Sequence, residues 1–348
     1  MSDKQFYFGL LTAAAVAVLV APYPHIAMWV GFLYAAYSVI ANDSIQTLGT
    51  FLAANKDRSA LVLWLFIAGL MIVTTLYSWD VYNGDVSYQR LTSKGFEKAP
   101  TAFTPLQLMA PLFLLFLTRH AIPVSTTFLI LSAFATQASS ISSVLSKSVS
   151  GYFVAFACSM AVWIIGTEIM KKYEKKEPAK FWYPLQWLTS GALWSVWIMQ
   201  DAANVAVYLP RELSGWMVLT YLGILSTTLG FLIYQRGGRI QKVVNEKTNI
   251  ADVRQATIID LFYAAVLYYF KILSAIPMST TWVFIGLLAG REVGMKLRTT
   301  PGESWAATRK TLLVDLARVS LGLIISLLLA IWINPVVREA IWPVSSGT

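Results

Sequence analysis

Apolar residues in this chain gather in long, nearly unbroken runs. A helix needs about 20 of them to cross the roughly 30 Å hydrocarbon layer of a membrane. Runs of that kind occupy 6–22, 26–55, 59–79, 151–170, 181–210, 214–234 and 310–334. Two further stretches, 104–145 and 258–290, are apolar but interrupted at their centres. The interruptions are alike: Ile122-Pro123-Val124-Ser125-Thr126-Thr127 and Ile276-Pro277-Met278-Ser279-Thr280-Thr281. Proline cannot continue a helix from its N-terminal side but suits a first helical position. Each site therefore predicts a helix end, a tight turn and a new helix starting at the proline. The expected fold is all-α, a polytopic membrane protein with broken helices and two re-entrant hairpins.

A second pair of interruptions places an acid between carboxamides in an otherwise uncharged run. One is Ala41-Asn42-Asp43-Ser44-Ile45-Gln46 and the other Gln200-Asp201-Ala202-Ala203-Asn204. Asp43 precedes Ser125 by 82 positions and Asp201 precedes Ser279 by 78. Two different signals recurring in one order at nearly one separation imply an internal duplication.

Composition agrees with the pattern. The chain has 348 residues, 57% hydrophobic and 13% charged, with a mean hydropathy of +0.60; soluble domains are about 25% charged. A soluble enzyme, a disordered protein and a disulfide scaffold are excluded. Cys158, His25 and His120 are too few for a transition-metal site. The net charge of +9 falls in loops between spans, as the positive-inside rule expects, and does not call for nucleic acid. Residues 6–22 after Lys4 also fit the outline of a signal peptide, with Ala15-Val16-Ala17 as a weak cleavage site.

Loop charges orient the halves. The loop 171–180 has five lysines, 236–257 has five basic residues, and 78–103 balances three basic against three acidic. With 171–180 cytoplasmic, 236–257 returns inside and 78–103 falls outside, so equivalent loops lie on opposite faces. The expected organisation is an extra helix over 1–24, a first repeat over 25–170, and a basic cytoplasmic linker over 171–180. An inverted second repeat over 181–334 and a tail over 335–348 complete it. The N-terminus is expected inside and the C-terminus outside, in the plasma (inner) membrane. Tyr77, Trp79 and Phe181-Trp182-Tyr183 sit at span ends, as interfacial aromatics do.

Inverted repeats with broken helices at matching positions point to a secondary transporter's midplane site. A helix beginning inside the membrane leaves N–H groups unpaired and its positive dipole end exposed. Ser125, Thr126 and Thr127 add hydroxyls to one such terminus, and Ser279, Thr280 and Thr281 to the other. Converging, the two make a donor-rich cradle for an oxyanion, unless the hydroxyls merely cap helices within the bundle. Asp43 and Asp201 are costly in hydrocarbon and mark an ion or proton path. With the oxygens of Asn42, Gln46, Gln200 and Asn204 they suit Na⁺, and a lone carboxylate also suits H⁺. Their other reading is a structural ion pair, with Arg119, Lys271 or Arg318 as the counter-charge. Arg119 itself has two roles open to it, anion contact or ion pair, and His120 beside it is expected to be hydrogen-bonded and uncharged. No nucleophile elbow, phosphate-cradling glycine loop, zinc-helix motif or kinase signature is present, so no enzyme is expected.

Together these residues resemble the inorganic phosphate transporter (PiT) family. Ala41–Thr50 is similar to its Ala-Asn-Asp-x-x-Asn-x-x-Gly-Thr segment, with Gln46 for asparagine, and Gln200–Asn204 to the second copy, with Gln200 for asparagine. Pro123–Thr127 matches Pro-Val-Ser-Thr-Thr fully, and Pro277–Thr281 matches apart from Met278. Ile40, Met199 and Val207 stand where family glycines are usual, and bulky Phe128 and Trp282 follow the tips. The resemblance, over roughly 25–334, implies a symporter importing inorganic phosphate with Na⁺ by alternating access, with no other cofactor. It implies substrate contacts from the Ser-Thr-Thr tips, Asn42 and Asn204, and Na⁺ at Asp43 and Asp201. A homodimer is the assembly it suggests. The alternatives are a proton-coupled sulfate permease of the same fold and, in another class, an anion channel.

Overall fold

The computed structural model describes residues 2–120, 122–173, 177–235, 252–298 and 305–342; the side chains of 44, 45, 168–173 and 307 are outside the description. Every long element among them is a helix. These are α1 (Asp3–Val20), α2 (Pro24–Ala54), α3 (Ala60–Val81), α4 (Pro105–Arg119), α5 (Thr126–Ile130) and α6 (Ala138–Tyr173). After them come α7 (Trp182–Ala206), α8 (Gly215–Tyr234), α9 (Val253–Leu273), α10 (Thr280–Leu297), α11 (Ala306–Ile333) and α12 (Pro335–Ile341). Seven of the described helices are long and apolar enough to cross a membrane, and the chain is an integral, multi-pass membrane protein. The basic connection 236–251, with Gly237 and Gly238, Lys175, Lys176 and the tail beyond 342 lie outside the described residues.

The layering is the reverse of a soluble domain. α1, α3, α8 and α11 turn large apolar side chains outward, among them Leu11, Val73, Leu219 and Leu328. α7 runs through the interior and buries Gln186, Thr189, Ser190, Gln200, Asp201 and Asn204. Those polar residues keep α7 out of the set of strongly apolar spans, although the sequence reading of 181–210 as a span overlaps it.

Two sequence expectations are corrected. First, the tip helices do not start at the prolines. Pro123 and Pro277 lie in extended segments, and the helices begin at Thr126 and Thr280 behind N-caps Ser125 and Ser279. The serine hydroxyl accepts the N–H of Phe128 at 3.2 Å in one case and of Trp282 at 3.4 Å in the other. A serine can cap and a proline cannot, so the start moves inward. Second, no boundary separates 104–145 from 151–170: α6 is one helix of 36 residues, about 54 Å long. Its serine-rich first half stays helical because Ser143, Ser148 and Ser150 donate to carbonyls four residues back. The break falls earlier, at 135–137, where Asn334 donates to the Ser132 and Ala135 carbonyls, both at 2.8 Å.

Close backbone approaches fix the helices around the breaks. Along α10, Gly286, Gly290 and Gly294 face the backbone of α6. A Cβ at Gly290 would lie 2.2 Å from the Phe156 carbonyl oxygen. At Gly322 of α11 a Cβ would lie 2.0 Å from the Pro123 carbonyl oxygen, so α11 backs directly onto the first break. Within α4, Pro111 has no N–H for the carbonyl of Gln107. The hydroxyl of buried Tyr208 donates to that carbonyl instead, at 2.9 Å.

Candidate functional site

The four interruptions meet in the interior. Asp43 at mid-α2 is fully buried, and Oδ1 accepts from Asn42 Nδ2 at 2.6 Å. The same Asn42 amide donates to the Val124 carbonyl of the first break at 3.1 Å. The Thr126 hydroxyl of that break donates to Asp43 Oδ2 at 2.7 Å. From α7, Asn204 Nδ2 reaches Thr126 Oγ1 at 3.0 Å, Thr127 Oγ1 at 3.3 Å and its neighbour Asp201 Oδ1 at 2.6 Å. Thr127 Oγ1 lies 3.3 Å from the Met278 carbonyl of the second break and 3.5 Å from Asp201 Oδ1. Thr126 and Thr127 thus link both acids and both breaks.

The two triads of hydroxyls divide by role. Ser125 and Ser279 are caps, which is the local structural duty the sequence left open for all six. The threonines of the first break face the acids. On the second break, Ser279, Thr280 and Thr281 are all buried. The Ser279 N–H is taken by Ser148 Oγ at 2.9 Å, and the Tyr263 hydroxyl donates to the Thr280 carbonyl at 3.0 Å.

The carboxamides behave asymmetrically. Gln200 donates to the Leu267 carbonyl at 2.7 Å, which turns its oxygen away from that bond. Among the buried side-chain atoms without a hydrogen-bond partner are Gln46 Oε1, Gln200 Oε1, Asp201 Oδ2 and Asn204 Oδ1. All four are oxygens, all belong to the paired acid motifs, and buried acceptors left unmet are rare and costly. Asp43, by contrast, has a donor on each oxygen. Hard oxygens, one of them a carboxylate's, are a donor set that fits an alkali cation far better than a transition metal.

Arg119 does not reach the acids. It sits at the end of α4 and pairs with Asp3 of α1 at 2.5 Å, beneath the Phe6 ring. His120 Nε2 shares a hydrogen bond with the Tyr7 hydroxyl at 3.1 Å. Lys271 stands over the Tyr88 ring and Arg318 is exposed, so neither counters the acids.

Sequence reading passed over four residues. Thr118 donates to Asn42 Oδ1 at 2.8 Å and orients that amide. Asp260 on α9 is buried between the hydroxyls of Thr50 (2.7 Å) and Ser190 (2.5 Å). Lys147 lies on α6, and Arg90 lies in the turn Arg90–Thr92 of the 82–104 connection. Asp260 carried a usable signal, a charge within an apolar run, whereas Lys147 fell in the serine-rich gap between two runs. Arg90 carried none, because its loop reads as solvent-facing.

Thr126→Val tests the joint. It keeps shape but removes the donor to Asp43 Oδ2, leaving that oxygen buried without a partner, while Asn204 keeps Asp201 and Thr127, at a cost of about 1–3 kcal/mol. The expected result is a lower melting temperature in detergent, whereas Thr281→Val, which breaks no bond described here, leaves it near wild type.

The fold that carries this polar centre has a counterpart among solved structures. No family model matches the sequence, and no curated protein does. Among solved structures the chain is similar to one described as "The sodium-dependent phosphate transporter", with a TM-score of 0.58 and 17% identity, covering 89% of this chain and 97% of that one. The fold is therefore that of a transporter structure.

Proposed function

We propose that this protein is a secondary symporter that carries inorganic phosphate inward with Na⁺, by alternating access around the buried site. The observation that carries the reading is the pair of unpartnered oxygens Asp201 Oδ2 and Asn204 Oδ1 on side chains that touch Thr126 and Thr127 of the first break, with two more, Gln46 Oε1 and Gln200 Oε1, in the same acid motifs. The name of the structurally similar transporter supports phosphate and sodium.

The hydrogen bonds supply a cause for coupling. Thr126 donates to Asp43, and Thr127 lies between Asp201 and the Met278 carbonyl. A cation taken up by the carboxylates makes them poorer acceptors for those protons. The hydroxyls are then released to donate to an oxyanion held between Thr126–Thr127 and Ser279–Thr281. The cation also lowers the cost of moving a dianion through a low-dielectric centre. Anion without cation would compete with two carboxylates for the same donors. Monohydrogen phosphate has a P–OH donor for the buried acceptor Asn204 Oδ1, and sulfate lacks one. The same reading places 25–170 and 181–334 as inverted repeats, with the N-terminus inside.

Proteoliposomes with and without an inward sodium gradient test this. Labelled phosphate uptake is expected to rise severalfold with the gradient, and excess sulfate is expected to compete weakly. Equal rates with and without sodium would remove sodium coupling. Uptake driven by a proton gradient and blocked by sulfate would favour the sulfate permease.

A further inference from the structure

Arg90 and Lys147 are two neighbouring cations with no carboxylate in direct contact among the described residues, and of those carboxylates only Asp201 attracts Arg90 from a distance. The Arg90 side chain is almost completely buried. Its connection folds inward because Asp85 accepts the N–H groups of Ser87 (2.7 Å) and Gln89 (2.6 Å), and Gln89 adopts a left-handed conformation with φ 62°. Arg90 Nη1 donates to the Ser274 carbonyl at 2.5 Å and Nε to the Met199 carbonyl at 3.3 Å. Lys147 Nζ donates to the same Ser274 carbonyl at 3.0 Å and to the Ile276 carbonyl at 2.6 Å. The two cationic nitrogens are therefore within about 5.5 Å of each other, the sum of the two contacts they share.

Neither makes an ion pair with a carboxylate of the described residues. Arg90 Nη2 is buried and has no partner. Lys147 uses two of its three protons, leaving one. Two like charges this close, one fully desolvated and one partly, are unfavourable unless an anion joins them. Met199 directly precedes the Gln200-Asp201 motif, and Ser274 and Ile276 lie at the start of the second break. The pair thus adjoins the central site in the chain, at the end where the 82–104 connection packs.

We propose that Arg90 and Lys147 form a second anion site, a staging position that holds a tetrahedral oxyanion of the phosphate class next to the central site. A buried guanidinium N–H without a partner and an ammonium with a proton to spare, held side by side on one carbonyl, suit two oxygens of one such anion. The staging role rests on the transport reading above; anion binding by the pair does not.

The test compares wild type with Arg90→Gln, Lys147→Gln and Arg90→Lys in sodium-driven phosphate uptake. Each glutamine variant is expected to raise KM at least about tenfold with kcat within about twofold of wild type, and Arg90→Lys to recover part of the loss. Unchanged KM in both glutamine variants overturns the staging site. A fall in kcat with KM unchanged also overturns it, showing that the cations only brace the Ser274 turn. If wild type takes up no phosphate, the transport reading fails, and equilibrium stabilisation decides the site separately. Inorganic phosphate is then expected to raise the melting temperature of wild type more than that of either glutamine variant. Equal shifts would overturn the site itself. The same melting curves without anion report whether a variant has lost its fold.

Discussion

Asp201→Asn is expected to abolish sodium-stimulated phosphate uptake while leaving the protein folded and monodisperse in detergent. Asp201 Oδ2 has no hydrogen-bond partner, and Oδ1 accepts from Asn204, with Thr127 at the limit of bonding distance. Asparagine keeps the oxygen that accepts from Asn204, and the hydroxyl of nearby Thr280 can turn to accept from the new amide, so little of the fold depends on the charge. What disappears is the negative ligand. Asp43→Asn makes the informative contrast. Both Asp43 oxygens accept, from Asn42 and from Thr126, so an amide nitrogen must face one of those donors. This variant is expected to lose uptake and also to lower the melting temperature, by the worth of one buried hydrogen bond, about 1–3 kcal/mol. Uptake kinetics and thermal unfolding on the same preparations separate the two. Normal sodium-stimulated transport by Asp201→Asn would make the acid structural and remove the proposed cation site.

Gly290→Leu is expected to prevent recovery of folded protein. Gly290 is one of three glycines on α10 that let its backbone lie against α6, and its absent Cβ would stand 2.2 Å from the Phe156 carbonyl oxygen. That neighbour is backbone in the middle of a 36-residue helix and cannot rotate away. Overpacking a well-filled interior costs about 1–3 kcal/mol when side chains can adjust, and here they cannot. In a membrane, where helices associate through close packing more than through hydrophobic burial, separating α6 from α10 also moves the second break, whose Ser279 N–H is held by Ser148 of α6. Size-exclusion chromatography is the readout, expected to show aggregate or no protein. Gly69→Leu, at a glycine with open space around it, is the control expected to behave as wild type. A monodisperse Gly290→Leu variant with normal uptake would show that α6 and α10 need not touch.

Much of this was legible in the order of residues. Long apolar runs force helices, because backbone groups in lipid must bond within their own segment. The repeated acid-carboxamide and Pro-x-Ser-Thr-Thr signals identified the residues that the fold brings together. Helix starts were less legible: a proline and a serine two positions apart can each begin a helix, and hydrogen bonding to Phe128 and Trp282 selected the serines. The length of α6 was illegible for a similar reason, since serine both breaks helices and, by bonding to the preceding turn, stays within them.

The sequence by itself determined the solvent, the helical class and that Asp43 and Asp201 had to be hidden, since burying apolar runs and unpaired charges has a cost that depends on residue type. Only the tertiary structure decided which partner each buried polar atom received. It gave Asp43 two donors and left Asp201 with a free oxygen, sent Arg119 to Asp3, and drew Arg90 from a loop into the interior. Partnership of that kind depends on distances of a few ångströms between segments far apart in the chain, and neither spacing nor composition contains those distances.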